Sequence, residues 1–259
     1  MMKRTIVAML LTVMAMAATA QVVHNDRYYY VIRIYHYTTE AQGARLDSFL
    51  QTAYLPALHN FGILKAGVFK PVANDSLGLR TYVFIPLKNL AQFEKLLVAL
   101  EADERFQVAG KPFIDAAFND VPFKRYETIL LQSFTGAPVP TESLLNGPKE
   151  ARVYELRSYE SPTDGLAANK IRMFNKGDEM GIFNRLHFNA VFYGAVMAGA
   201  HMPNLMYMTS FENMADRDAH WKSFSSDAYW KTLSGDPRYE HNVSHMDIVF
   251  LHPAAYSEY

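Results

Sequence analysis

The chain has 259 residues, no cysteine, and 25 basic against 26 acidic residues. Those counts exclude disulfides, thiol nucleophiles and thiolate-held metals, and they offer no basic face for a nucleic acid. A chain of this length can bury about 70% of its unfolded surface, so packing alone can hold it together.

Lys3 and Arg4 precede a run without charge from Thr5 to Met16, after which Ala18 and Ala20 frame an A-x-A site. This is the pattern of a signal peptide, residues 1–20, cleaved after Ala20. The apolar run is shorter than the roughly 20 residues a spanning helix needs, so no membrane contact is expected after cleavage. Cleavage removes two of the 25 basic residues and no acid, leaving a net charge of −3. The mature protein is expected to be periplasmic.

Residues 21–135 open with "YYYVIRIYHY" (28–37), which alternates as a strand does. Leu46, Phe49, Leu50, Ala53, Tyr54 and Leu58 then recur at helical spacing. Strands near 62–70 and 79–87 flank a turn around "NDSLG". Leu90, Phe93, Leu96, Leu97 and Leu100 stripe another helix, and "YETILLQSF" (126–134) closes the unit. The Gly and Pro of "GAPVPTESLLNGPKE" (136–150) mark a linker.

Residues 151–259 repeat this grammar: a strand at 152–160, a helix at 164–180 weakened by Gly177 and Gly181, and strands near 186–196 and 204–211. Helices near 213–224 and 226–233 and the strand "MDIVFLH" (246–252) follow. Tyr30, Arg33 and Tyr35 fall 124 positions before Tyr154, Arg157 and Tyr159, and Asn60, Asn89 and Asp103 likewise precede Asn184, Asn213 and Asp227. The expected fold is α+β: two tandem ferredoxin-like (βαββαβ) repeats packed sheet to sheet.

On the opening strand, Tyr30, Ile32 and Ile34 share one face and suit packing against helices. The other face carries Val31, Arg33 and Tyr35, matched by Val153, Glu155, Arg157 and Tyr159. That places both arginines between the sheets, where each needs a partner. Glu155, two residues away on the same face, is the candidate for Arg157. Either the arginines form carboxylate bridges that fix the halves in register, or they present a charge and a phenol to an anionic or polar ligand.

The second unit resembles the NIPSNAP family. The likeness rests on "VYELRSYE" (153–160), on "HFNAVFYGAVMAGAHMPNLMYMTSFENM", and on "MADRDAHWKSFSSDAYWKTL", in which Arg217, Trp221, Asp227 and Trp230 match the family's pattern. Ala228 stands where that pattern has proline. The resemblance covers residues 151–253 and implies two ferredoxin-like units forming a dimeric-α/β-barrel-like unit. It implies no agreed chemistry; neighbouring barrel families include cofactor-independent monooxygenases and haem-using proteins.

Further candidates come from the residues themselves. The alternation of the strand near 186–196 places His187 and Asn189 on one face with Tyr193, as a base or ligand clamp or as a solvated face. Arg217 and His220 turn a helical stripe polar beside Trp221. His201 lies in the turn "AGAHMPN". His241 and His245 are four apart but lead into a strand, and although Asp247 shares a face with His245, no metal site is assigned. There is no phosphate loop, G-x-S-x-G elbow or HExxH motif.

The expected function is binding of a small, partly apolar molecule between the sheets, by Arg157, Tyr159, His187, Asn189, Arg33, Tyr35, His220 and Trp221. The alternatives are a monooxygenase-like or haem-using enzyme and a protein-interaction module, either compatible with a homo-oligomer. No cofactor is assigned.

Overall fold

The structure is a computed structural model that describes residues 27–72, 76–142 and 144–259. The signal peptide expected at 1–20 lies outside the described residues. Eight strands carry the fold: β1 (Tyr29–His36), β2 (Gly67–Pro71), β3 (Arg80–Leu87), β4 (Arg125–Ser133), β5 (Val153–Glu160), β6 (Asn189–Ala198), β7 (Asn204–Phe211) and β8 (His245–Pro253). Between them lie helices α1 (Glu40–Phe49), α2 (Leu55–Asn60), α3 (Leu90–Ala102), α4 (Glu104–Ile114), α5 (Asp164–Asn175), α6 (Glu179–Arg185), α7 (Met214–Ser226) and α8 (Ala228–Ser234). A π-helical turn, Leu50–Tyr54, joins α1 to α2.

The helix starts are set locally. Thr39, Asn89 and Asp103 cap α1, α3 and α4 by accepting the N–H of Gln42, Gln92 and Phe106. Thr163, Asn213 and Asp227 do the same for α5, α7 and α8. The single long helix expected at 164–180 is instead split. α5 stops at Asn175, and α6 begins after Asp178, whose φ of 58° no continuous helix accommodates.

The strands form one closed antiparallel barrel in the order β1-β3-β2-β8-β5-β7-β6-β4. Each half contributes four consecutive strands, and the halves meet along two seams. At one, Phe69 of β2 lies opposite Pro253 of β8; at the other, Ser133 of β4 lies opposite Gly194 of β6. A Cβ on Gly194 would sit 3.0 Å from Leu131 Cβ, so the strands of the second seam pack tightly at this glycine.

Which face points inward differs from the expectation. Tyr30, Ile32, Tyr154 and Leu156 face the barrel interior, while Val31 and Tyr35 pack against helical residues such as Leu46 and Phe49, and Tyr159 against Met173 and Phe174. Arg33, Tyr35, Arg157 and Tyr159 therefore lie under the helices rather than between the sheets. The interior takes the side chains that need no partner. The polar face lies where helices supply indole, carboxylate and phenol groups.

Much of the interior is filled. Phe84 stacks on Phe192 with ring centroids 4.9 Å apart, Tyr30 lies 5.1 Å from Phe192, and Phe69 lies 4.7 Å from Tyr154. Tyr259 also enters this cluster, 5.5 Å from Phe84. Residues of the 136–150 segment cross this end, with the backbone of Pro138 accepting from Tyr28 N–H and Thr141 N–H donating to Val191.

Because Phe192 packs on rings from the other half, Phe192→Ala should cost about 3 to 5 kcal/mol through transfer and cavity terms. Urea unfolding would measure it. A loss under 1 kcal/mol would mean that this cluster is not a rigid core.

Candidate functional site

The open end of the barrel lies at the C-terminal ends of β1 and β5. There the interior widens into a cavity of about 350 Å³. Its walls are Ile34, Ile129, Leu156, Met206 and Val249, and its rim includes His36, Arg80, Glu127, His201, Asn204, His245 and Asp247. These are inward-facing positions of β1, β3, β4, β5, β7 and β8, joined by the β6–β7 turn, so the barrel assembles the cavity from six strands.

Imidazole–carboxylate contacts punctuate the rim. His36 Nε2 lies 2.7 Å from Glu127 Oε1, His201 Nδ1 lies 3.0 Å from Glu160 Oε1, and His245 Nε2 lies 3.1 Å from Asp247 Oδ1. Arg80 is 1% exposed; its Nε donates to the Tyr82 hydroxyl at 2.8 Å and one terminal nitrogen to the Gly78 carbonyl at 3.0 Å. An apolar wall under a polar rim suits a ligand with a hydrophobic body and a polar head.

The expected site residues lie elsewhere. Arg157, Tyr159 and Trp221 do come together, around the fully buried Glu155. Glu155 accepts from Arg157 Nε at 2.6 Å, from two Arg217 nitrogens at 2.8 and 3.1 Å, and from the Trp221 indole at 2.7 Å. The Arg157 guanidinium stacks 3.7 Å above the Trp221 ring and donates to the Tyr159 hydroxyl, which bonds that of Tyr207. Burial works against the Arg157 charge, but Tyr207, Tyr159 and Glu155 more than offset it and hold its pKa above the usual arginine value. Arg157 thus has a carboxylate bridge, but one inside the second half rather than one that fixes the two halves in register.

Nearby, Lys170 Nζ donates to Glu179 Oε2 at 2.8 Å. Burial nonetheless raises the Glu179 pKa, with the lysine opposing the shift. The desolvation of a fully enclosed carboxylate outweighs one ion pair. His220 stands apart, its Nδ1 2.9 Å from the Asp216 carbonyl and its ring edge-on to Phe188.

In the first half Arg33 has no such hub. Val31 stands 124 positions before Glu155. Arg33 reaches the Tyr35 hydroxyl at 3.4 Å and lies 4.9 Å from the Tyr126 ring centre, and among the described residues it makes no salt bridge.

His187 is not on a strand. It occupies the turn before β6 with φ of 59°. A bulge at Val191 then breaks the alternation, so Phe188 and Tyr193 pack under the helices while Val191 and Phe192 face the barrel interior. His187, Asn189 and Tyr193 line a separate cleft of about 540 Å³ against residues 136–139, 141, 142 and 144. The Tyr193 hydroxyl is buried there without a partner, and burial pushes its pKa well up.

Comparison with known proteins follows this division. Residues 154–258 match the NIPSNAP family model. The match falls wholly within the second half of this chain. A NIPSNAP family protein from Agrobacterium tumefaciens matches 41% of the chain and 96% of its own length, at 16% identity and a TM-score of 0.36. A candidate monooxygenase from Lactobacillus acidophilus NCFM covers 88% of this chain and 94% of its own, at 12% identity and a TM-score of 0.57. An anthrone oxidase-like protein covers 88% and 92%, at 10% identity and a TM-score of 0.50. These last two likenesses establish the ferredoxin-like, dimeric-α/β-barrel type of fold and nothing more. No curated protein sequence matches the chain.

Within the matched region, Asp227 caps α8 by accepting from the backbone N–H of residue Trp230 at 2.9 Å, and the Trp230 ring packs 4.5 Å from that of Phe224. Of the rim histidines, His201 and His245 stood out in the sequence and His36 did not. Glu160 and Glu127 were not, because each faces its histidine only after distant strands pair.

Glu155→Ala leaves two arginines and an indole without their shared acceptor and should destabilise the domain by about 3 to 5 kcal/mol. Urea denaturation would read this, and a change below 1 kcal/mol would show that Glu155 is not the hub. For Glu179 the folded pKa is raised, so the stability it contributes at low pH is lost as pH rises above the ordinary carboxyl range. Glu179→Gln should flatten that part of the stability profile, the fall that begins above the ordinary carboxyl range. An unchanged slope would place the proton elsewhere.

Proposed function

We propose that this NIPSNAP-domain chain is an exported binding protein that holds a small, partly apolar molecule in the mouth of its barrel. The observation that carries the reading is the cavity of about 350 Å³, apolar in its walls and ringed by imidazole, guanidinium and carboxylate groups. The fully engaged cluster around Glu155 favours a structural role for Arg157, Tyr159 and Trp221 instead. A duplication origin is part of this reading. It is supported by the paired caps Thr39 and Thr163, Asn89 and Asn213, and Asp103 and Asp227, each 124 positions apart.

Export rests on the sequence of residues 1–20. Among the described residues no helix is long and apolar enough to cross a membrane. Protein recovered from the periplasm should have the mass of a chain beginning at Gln21, and a full-length mass or a cytoplasmic location would refute the export.

The binding test uses 1-naphthol, an aromatic body with one hydroxyl, titrated by intrinsic fluorescence, alongside native mass spectrometry of protein taken gently from its own host. Saturable binding is expected, weakened by about tenfold or more in Met206→Trp, which fills the cavity. Equal binding to both proteins would rule out the mouth as the site. An enzyme of the monooxygenase type named for its structural neighbours would reveal itself by oxidised naphthol in the same mixture.

A further inference from the structure

One sector of the rim brings together more donors than the ligand reading uses. Glu160 is the last residue of β5 and His245 the first of β8, and the two lie directly opposite in antiparallel register. Asp247, two residues along β8 and opposite Ser158, shares the face of His245. One donor atom from each of Glu160, His245 and Asp247 fits within a sphere of contact in which all lie within 4.8 Å of one another. His201 extends the group from the β6–β7 turn, its Nδ1 3.0 Å from Glu160 Oε1.

The spacing is that of ligands around one ion. Donors bonded at about 2.0 to 2.2 Å to a common cation sit about 3 Å apart when adjacent. The contacts of His201 with Glu160 and of His245 with Asp247, at 3.0 and 3.1 Å, already have that separation. As ion pairs alone these contacts would contribute little, because exposed pairs are worth roughly 0 to 1 kcal/mol. Nothing in the packing requires two carboxylates and an imidazole to converge there, with a second imidazole, that of His201, against Glu160.

We propose that Glu160, His201, His245 and Asp247 form a binding site for a first-row divalent transition cation at the barrel mouth. A set of two carboxylates and the His245 imidazole, with His201 within reach of Glu160, suits Zn²⁺, Mn²⁺ or Fe²⁺ better than Ca²⁺ or Mg²⁺, which favour all-oxygen sets. His201, His245 and Asp247 line the cavity as well as the cluster, so a bound cation faces the space above Leu156 and Val249. There it can take the polar head of whatever the apolar wall accepts. The site does not depend on the cavity being occupied.

The test is calorimetric titration of chelator-treated mature protein with ZnCl₂, and with CoCl₂ followed by visible absorption. One saturable equivalent per chain is expected, with Co²⁺ bands of a nitrogen and oxygen donor set. His245→Ala and Glu160→Gln should each weaken binding by about tenfold or more, the loss typical of a removed ligand or its close partner. His245 is exposed and Glu160 half-buried at the rim, and thermal unfolding of both variants should match the parent and exclude misfolding as the cause. His241→Asn, outside the cluster and able to keep its φ of 58°, should bind as the parent does. Absence of a saturable equivalent, or unchanged affinity in His245→Ala, would overturn the proposal. Met206→Trp should keep the cation while losing naphthol, so failure of the cavity reading and failure of the metal site give different results.

Discussion

Closure of the barrel is the constraint from which the rest follows. A four-stranded sheet with helices on one face has two edges of unpaired N–H and C=O groups and one bare apolar face. Pairing β2 with β8 and β4 with β6 satisfies both edges at once. The same step encloses the bare faces, where Phe84, Phe192, Phe69 and Tyr154 meet across the halves. Neither half can bury that face alone, so seams and core stabilise each other.

Enclosure also sorts the polar groups. An interior closed on all sides offers no partner for a guanidinium, and a stray charge there would cost several kcal/mol. Arginines on the opening strands consequently face the helices, where the second half supplies Glu155 and the indole of Trp221. Only at the open end, where the strands run out toward solvent, do charged groups join the interior face. The cavity is polar at its rim and apolar below for that reason.

The two halves have diverged in what they bury. Glu155 gathers Arg157, Arg217 and Trp221 into one network, and positions 124 earlier hold Val31, Phe93 and Leu97 instead. The first half has become a more ordinary apolar layer around Phe49, Tyr54 and Phe113. Its Arg33 stays among tyrosine rings.

Element order apart from α4, most boundaries and the NIPSNAP resemblance of the second half were legible in the sequence, because they rest on local rules: alternation and the 3.6-residue period. The pairing of Glu155 with Arg157 was legible too, since both lie on one strand two residues apart. The inward face was not. A strand of tyrosine, isoleucine and arginine has two semi-apolar faces, and only closure decides which is sealed from every polar partner. Nor could the position of His187 or the group of Glu160 with His245 be read locally. The first depends on a left-handed turn that keeps His187 off the strand, which begins only at Asn189, and the second on strands far apart in sequence meeting end to end.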